Sequence, residues 1–154
     1  MASMLTPIFM RAVIAFLALP GVVAFLVPAA WVRLSRQTLS WPFGLLMAAL
    51  GISGLLWCVR DFYVSGKGTL APWAPPQELV VVGLYRYSRN PMYVSVVLIL
   101  LGWAISFHSA GLLVYALAMA LAFHLRVILG EESWLARVHG SAWQQYSRRV
   151  RRWF

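Results

Sequence analysis

The chain has 154 residues, a net charge of +9 and one cysteine, yet only 11% of it is charged and 62% is hydrophobic. A soluble domain carries about 25% charged residues and roughly half apolar ones, and a lone cysteine excludes an internal disulfide framework. The arginines flank apolar blocks and fill the final stretch rather than lining one face of a helix or strand. That distribution argues against nucleic acid and for a membrane protein with positive flanks.

The apolar residues fall into blocks of roughly 17 to 22 residues, the length that crosses about 30 Å of hydrocarbon. They predict one all-α domain: a polytopic membrane helix bundle of about four transmembrane helices plus a C-terminal amphipathic interfacial helix. The first block covers 7–31 and holds a single charge, Arg11, close enough to its end to snorkel; Pro20 and Pro28 are expected to kink it. A cleaved signal peptide would share Arg11, the apolar run and the small residues Ala29 and Ala30, but the stretch is long for one. The second block covers 41–60 and carries Gly44, Ala48, Gly51 and Gly54, a stripe that lets helices approach closely. Cys58 within it reads as a buried packing residue. Arg60 and Asp61 close the block.

Residues 61–90 read as a loop, punctuated by Gly66, Gly68, Pro72, Pro75 and Pro76. A loop of that length in a compact protein is usually functional. The third block covers 91–107, with Asn90 as N-cap and Pro91 at the first helical position. The fourth covers 110–129. Only Phe107, His108 and Ser109 separate these two, which predicts an antiparallel hairpin. The tail, 130–154, is amphipathic and basic: Trp134, Leu135, Val138, Trp143, Val150, Trp153 and Phe154 suit the interface and the arginines suit headgroups.

With four spans, the 61–90 loop and the tail share one side with Arg60, Lys67, Arg86, Arg89, Arg137, Arg148, Arg149, Arg151 and Arg152; the other side has Arg33 and Arg36. Positive-inside places the loop, tail and N-terminus in the cytoplasm, as expected of a bacterial-type inner-membrane protein. All four acids, Asp61, Glu78, Glu131 and Glu132, are then expected at the cytoplasmic border, where ionisable groups are costly unless paired or used. Glu131 and Glu132 point about 100° apart on a helix, so one can take a ligand while the other pairs with Arg86 or Arg89; alternatively both only fix helix depth. His124 shares a face with Ile128, Glu131 and Glu132, and a lone histidine in a span is equally suited to a hydrogen bond with a neighbouring helix. No second histidine or cysteine stands at metal-ligand spacing, so no metal is expected. The dinucleotide, triphosphate and serine-hydrolase motifs are missing.

Two segments carry more than composition. One is Gly83-Leu84-Tyr85-Arg86-Tyr87-Ser88-Arg89-Asn90-Pro91-Met92-Tyr93; the other is Glu131-Glu132-Ser133-Trp134-Leu135, followed by His139-Gly140 and Tyr146. Together they resemble the paired signatures of the isoprenylcysteine carboxyl methyltransferase and phospholipid methyltransferase superfamily, in its bacterial branch. The pattern there is G-x-Y-x-x-x-R-[HN]-P-x-Y before one span and E-E-x-x-L-x-x-x-[FH]-G-x-x-[YW]-x-x-Y after the next. Gly66-Lys67-Gly68-Thr69 and the prolines after it add to the likeness, which runs from about Gly66 to Trp153. Asn90 stands where eukaryotic members have histidine, Ser133 and Arg151 where proline is frequent, His139 for phenylalanine and Trp143 for tyrosine. These departures bear on the substrate more than on the cofactor.

The resemblance implies a membrane enzyme using S-adenosyl-L-methionine and releasing S-adenosylhomocysteine. It implies cofactor contacts from Tyr85, Arg89, Asn90, Pro91, Tyr93, His124, Glu131 and Glu132, with Arg89, Asn90, Glu131 and Glu132 as the catalytic set. Arg126 and Trp134 fall near the expected opening toward substrate, a lipophilic acceptor that enters from membrane lipid: an isoprenylcysteine-like carboxylate, a phospholipid amine or another hydrophobic small molecule. A sulfonium suits aromatic faces, and Tyr85, Tyr87 and Tyr93 supply them. Methyl transfer is an in-line displacement that asks mainly for alignment. The alternatives are a non-catalytic scaffold or lipid-binding protein that keeps the fold, and a small transporter, which would be expected to hold an acid deep within a helix.

Overall fold

A computed structural model describes residues 17–65 and 78–153. The expectations for Arg11 and for the Gly66 to Pro76 stretch lie outside these residues, as does Phe154. Among the described residues the chain is all-α. A π-helical stretch Leu17–Leu26 leads into α1 (Val27–Leu34). Helix α2 covers Phe43–Ser65, α3 Pro91–Ser106, α4 Ala110–Arg126 and α5 Glu132–Arg149. A 3-10 turn at Gly83–Arg86 precedes α3, and a π turn at Val127–Glu131 joins α4 to α5 without a break.

The first segment shows what its prolines do. Pro28 lacks an N–H, so the carbonyls four and five residues before it, on Ala24 and Val23, lose the donor it would have supplied. Both find side chains instead: Trp103 Nε1 donates to Ala24 O at 3.0 Å and Tyr115 OH to Val23 O at 3.1 Å. The expected kink is therefore a widened π-helical stretch containing Pro20, with its free carbonyls met by α3 and α4. In an apolar solvent an unmet carbonyl would be costly.

Helices α2 and α3 form the closest pair, and the small-residue stripe makes it possible. A Cβ placed on Gly51 would meet Ser95 O at 2.7 Å, and one on Gly102 would meet Ala48 N and Gly44 O at 2.7 Å. The stripe thus faces its own bundle. Around it lies a core of Ala24, Leu55, Val96, Ile99, Leu100 and Ala116. The opposite surfaces are apolar and exposed: Leu45, Leu46, Leu50 and Leu56 on α2, and Leu113, Val114, Leu117 and Leu121 on α4. The apolar windows of α2 and of the α4–α5 helix are only 22% and 17% buried within the protein, the reverse of a soluble core helix. Both helices are long and apolar enough to cross a membrane, whereas Pro20–Leu34 and Pro91–Ser106 are shorter apolar helices.

The reversals agree with the expected hairpin. Ser109 caps α4 by accepting from Leu112 N at 3.4 Å. The loop between α1 and α2 meets this turn, since Ser40 N donates to Ser106 O at 2.8 Å and Gln37 Nε2 to Ser109 Oγ at 3.1 Å. Both short connections therefore lie at one end of the bundle.

Two expectations need correction. Helix α2 does not stop at residue 60: it continues to Ser65, so Asp61 belongs to a helix rather than a loop and is 4% exposed. Its carboxylate lies against Gly83, whose φ of +57° and missing Cβ admit the approach; a Cβ there would collide with that carboxylate and sit 2.8 Å from Trp57 Nε1. The tail, secondly, does not begin as a separate interfacial helix. It continues α4 through the π turn and bends only at Gly140 (φ 49°, ψ −119°), a conformation open essentially to glycine.

Replacing Gly102 by leucine forces backbone atoms of α2 apart and is expected to destabilise the bundle by about 3 kcal/mol. Gly130→Ala, where an added Cβ meets nothing within 4 Å, is expected to be neutral or to stabilise slightly by removing a flexible helix residue. Thermal unfolding of the two variants in one detergent checks this; equal tolerance would contradict the close α2–α3 contact.

Candidate functional site

At the end of the bundle opposite the two short loops, four segments converge: the turn Gly83–Arg86, the start of α3, the π turn with the start of α5, and residues 150–153. The turn is seated on α2. Tyr85 is buried, packs its ring on Phe62 at 5.4 Å and belongs to a cluster with Cys58 and Val80. Burial, with Cys58 beside it, pushes the Tyr85 hydroxyl well above the ordinary range, so it stays neutral. The bend at Gly140 turns the second half of α5 back onto this turn. Tyr146 OH donates to Tyr85 O at 2.7 Å, and Trp143 lies under the Arg89 guanidinium, 5.7 Å from ring centroid to Cζ. The glycine of the second motif thus has a physical purpose: it lets α5 cover the first motif.

Glu131 and Glu132 diverge, as the helical angle between neighbours requires. Glu132 faces inward. It accepts from Arg89 Nη1 at 2.8 Å and from Arg152 through Nε and Nη2, each at 2.8 Å. Its side chain is 20% exposed and that of Arg89 15%. The Arg152 hydrogen bond holds the Glu132 carboxyl below its usual range, against the opposing effect of partial burial, and Arg89 adds to the lowering. A carboxyl whose pKa is lower in the folded than in the unfolded state favours folding above its unfolded pKa; that contribution is lost as pH falls through the folded value. The ion triad is therefore intact at neutral pH.

Glu131 faces the α3–α4 side. Its Oε1 accepts from Arg126 Nε at 2.7 Å and from the Tyr93 hydroxyl in a short hydrogen bond. The Tyr93 ring stacks on Phe123 at 4.6 Å. The Arg126 side chain is half-exposed, which puts this second cluster at the rim. His124 accepts from Trp153 Nε1 at 3.2 Å through Nδ1. Asn90 occupies the N-cap position, but its side chain does not cap: its Nδ2 donates to Arg152 O at 3.0 Å, while Pro91 opens α3 as expected.

The expected set therefore separates into two groups. Arg89, Asn90, His124 and Glu132 meet around residues 150–153, and Tyr93, Glu131 and Arg126 form the rim cluster. Tyr85 and Arg89 also line a small open cleft with Phe62, Glu78, Leu135, His139 and Tyr146. Two buried nitrogens at this cleft, Arg89 Nε and His139 Nε2, have no hydrogen-bond partner among the described residues. Trp134 lies edge-on to His139 at 6.3 Å, on the cleft side and apart from the Arg126 cluster. Arg86 and Tyr87 are exposed and pair with neither glutamate. Sequence reasoning missed Arg152 and Trp153 as site residues and Asp61 as a buried group. With four acids against thirteen basic residues, the one available signal was that an inward glutamate would draw more than one arginine. Among the described residues no three His, Cys, Asp or Glu side chains gather as a metal site.

The model of one protein family, described as phospholipid methyltransferase, matches residues 39–142, about two thirds of the chain. No curated protein and no solved structure matches it. The matched stretch begins just before α2, holds the first motif, the hairpin and the second motif as far as Gly140, and ends within α5 before Trp143 and Tyr146. The Arg89–Glu132 pair joins the first motif to the second inside that stretch. By this match the chain belongs to the phospholipid methyltransferase family, a family of membrane methyltransferases.

Proposed function

We propose that the protein is an integral membrane methyltransferase that uses S-adenosyl-L-methionine to methylate a lipophilic acceptor. The observation that carries this reading is the Arg89–Glu132 pair. It joins the two family motifs beside a cleft with aromatic walls and an Arg89 Nε that has no partner among the described residues. These residues fit the cofactor. Arg89 is the donor for the amino-acid carboxylate, Tyr85 and Tyr146 supply aromatic faces for a sulfonium, and Asn90, His124 and Glu132 offer hydrogen bonds to hydroxyl or amino groups. Pro91 opens α3 beside Arg89 and Asn90, and Tyr93, held by Glu131, is the remaining candidate contact. When bound, the cofactor would supply an electrophilic methyl group.

The protein's share is alignment and proton handling. Arg89 is fixed by Glu132 and Trp143, so its free edge is pre-oriented, and apolar walls exclude water that would compete as nucleophile. Glu131 stands at the rim with Arg126 and Tyr93. A phospholipid ammonium must lose a proton before its nitrogen can attack, and Glu131 is placed to take it. Arg126, half-exposed beside it, is the candidate contact for a lipid phosphate. A carboxylate acceptor would need no such base. Trp134 on the cleft side is the remaining candidate contact for an acceptor.

We further read the chain as a single domain that crosses the membrane four times, with residues 61–90 and the segment after 130 in the cytoplasm. This follows the arginine asymmetry and the shared end of the two short loops. A second reading, a non-catalytic scaffold or lipid-binding protein, draws support from the fact that residues 150–153 already engage several of the polar groups named here.

Calorimetry of the detergent-purified protein with S-adenosylhomocysteine is expected to give saturable binding, weakened at least tenfold in a folded Arg89→Gln variant by loss of a charge-assisted hydrogen bond. No binding by folded protein in detergent or lipid discs would favour the scaffold. Methyl transfer to phosphatidylethanolamine vesicles is expected to slow about a hundredfold in Glu131→Gln, while transfer to a prenylcysteine carboxylate, if that is the acceptor, stays within a few-fold. For topology, single cysteines at Gln37 and Ser147 in a Cys58→Ala background are to be probed with an impermeant maleimide on intact cells. The four-pass reading expects Gln37→Cys to react and Ser147→Cys to react only after permeabilisation.

A further inference from the structure

We infer that residues 150–153 act as a latch across the cofactor site and must release before the cofactor enters; this rests on the methyltransferase reading above. After α5 ends, Val150 turns extended (φ −111°, ψ 131°) and the chain runs alongside the first motif. Ser88 and Arg151 pair as an isolated parallel bridge, with Arg89 N–H donating to Arg151 O at 2.9 Å. The next carbonyl, Arg152 O, accepts from Asn90 Nδ2 at 3.0 Å and from Ser88 Oγ at 3.4 Å. The Arg152 guanidinium grips both oxygens of Glu132, and the Trp153 indole N–H reaches His124 Nδ1. Asn90, His124 and Glu132 thus each hold an atom of the same four-residue segment through their side chains, and Arg89 holds one through its main-chain N–H; a ligand that needs those three side-chain groups must displace it.

The way the segment is held makes that displacement feasible. None of residues 150–153 is buried, and the Arg152 side chain is 35% exposed. The hold is polar and directional rather than a buried apolar contact, which is the character of segments that open locally at low free energy. A ligand that engages only the open form binds with an affinity reduced by the closed fraction. The latch therefore lowers affinity while empty, and on reclosing it slows exchange.

The test locks it. In a Cys58→Ala background, Ser88→Cys and Arg151→Cys place two thiols on bridge partners, which lie about 5 Å apart in a β pair, within disulfide reach. Calorimetry with S-adenosylhomocysteine is expected to show binding at least tenfold weaker in the oxidised protein than in the same protein after reduction. Equal affinity in both forms would overturn the latch and make the segment a fixed wall. A second measurement needs no ligand: hydrogen exchange at the Arg89 amide, whose partner is Arg151 O, is expected to speed about tenfold in Arg152→Gln while interior α3 amides do not change. An unchanged Arg89 amide overturns the proposal by itself. If neither the wild-type nor the reduced protein binds the cofactor analogue, the cofactor reading fails; accelerated exchange at Arg89 would then still establish the opening motion.

Discussion

Glu132 sits between two guanidiniums, Arg89 and Arg152, and the functional end of the bundle is assembled around that carboxylate. Its three contacts draw together residues 20 and 43 positions away in the chain, bringing the start of α3, the π turn and the extended segment to one point. In a chain with so few acids the pairing is selective: Glu132 takes the two inward arginines and Glu131 takes Arg126 at the rim. A part-buried carboxylate with only one cation would leave an acceptor or a charge poorly met. Here two cations meet one anion, and the surplus positive charge lies on Arg89, beside the cleft. On the proposed reading, that surplus is what an anionic group of the cofactor would meet.

The rest of the bundle obeys the solvent it is built for. Apolar side chains on α2 and α4 face outward, so helix association relies on close packing rather than on burial from water. Gly51, Gly102 and the residues around them allow that approach, and Trp103 and Tyr115 answer the carbonyls that Pro28 leaves without a donor. Polar backbone and apolar surface are thus each handled where they arise, and the end with the motifs is left to hold charge.

Much of this was legible in the sequence, for identifiable reasons. Asn90-Pro91 and Ser109 mark helix starts through local chemistry, so α3 and α4 begin where expected, and the three-residue turn between them leaves little choice of direction. The divergence of Glu131 and Glu132 follows from helix geometry alone, and the pairing of one of them with Arg89 was among the expected options. The C-terminal end of α2 was misjudged because Asp61 reads as a border charge, whereas it is buried against a glycine turn more than twenty residues later. Asn90 reads as a helix cap, but its amide serves a carbonyl 62 residues away. Arg152 and Trp153 read as headgroup and interface residues because nothing local marks them otherwise; their roles come from long-range contacts that composition cannot show.

The π turn at Val127–Glu131 has an implication for how such a chain can vary. A π turn is in effect an α-helix with one residue inserted, and each residue of an α-helix advances the facing by about 100°. The wide turn absorbs that extra residue, so the glutamates after it keep the facing they would have in a regular helix one residue shorter. Straightening the turn while keeping all its residues would instead advance the downstream half by about 100°. That rotation would take the two glutamates away from their separate partners and aim the bend at Gly140 elsewhere. The site thus depends on the turn staying wide, a property that no single side chain in it carries.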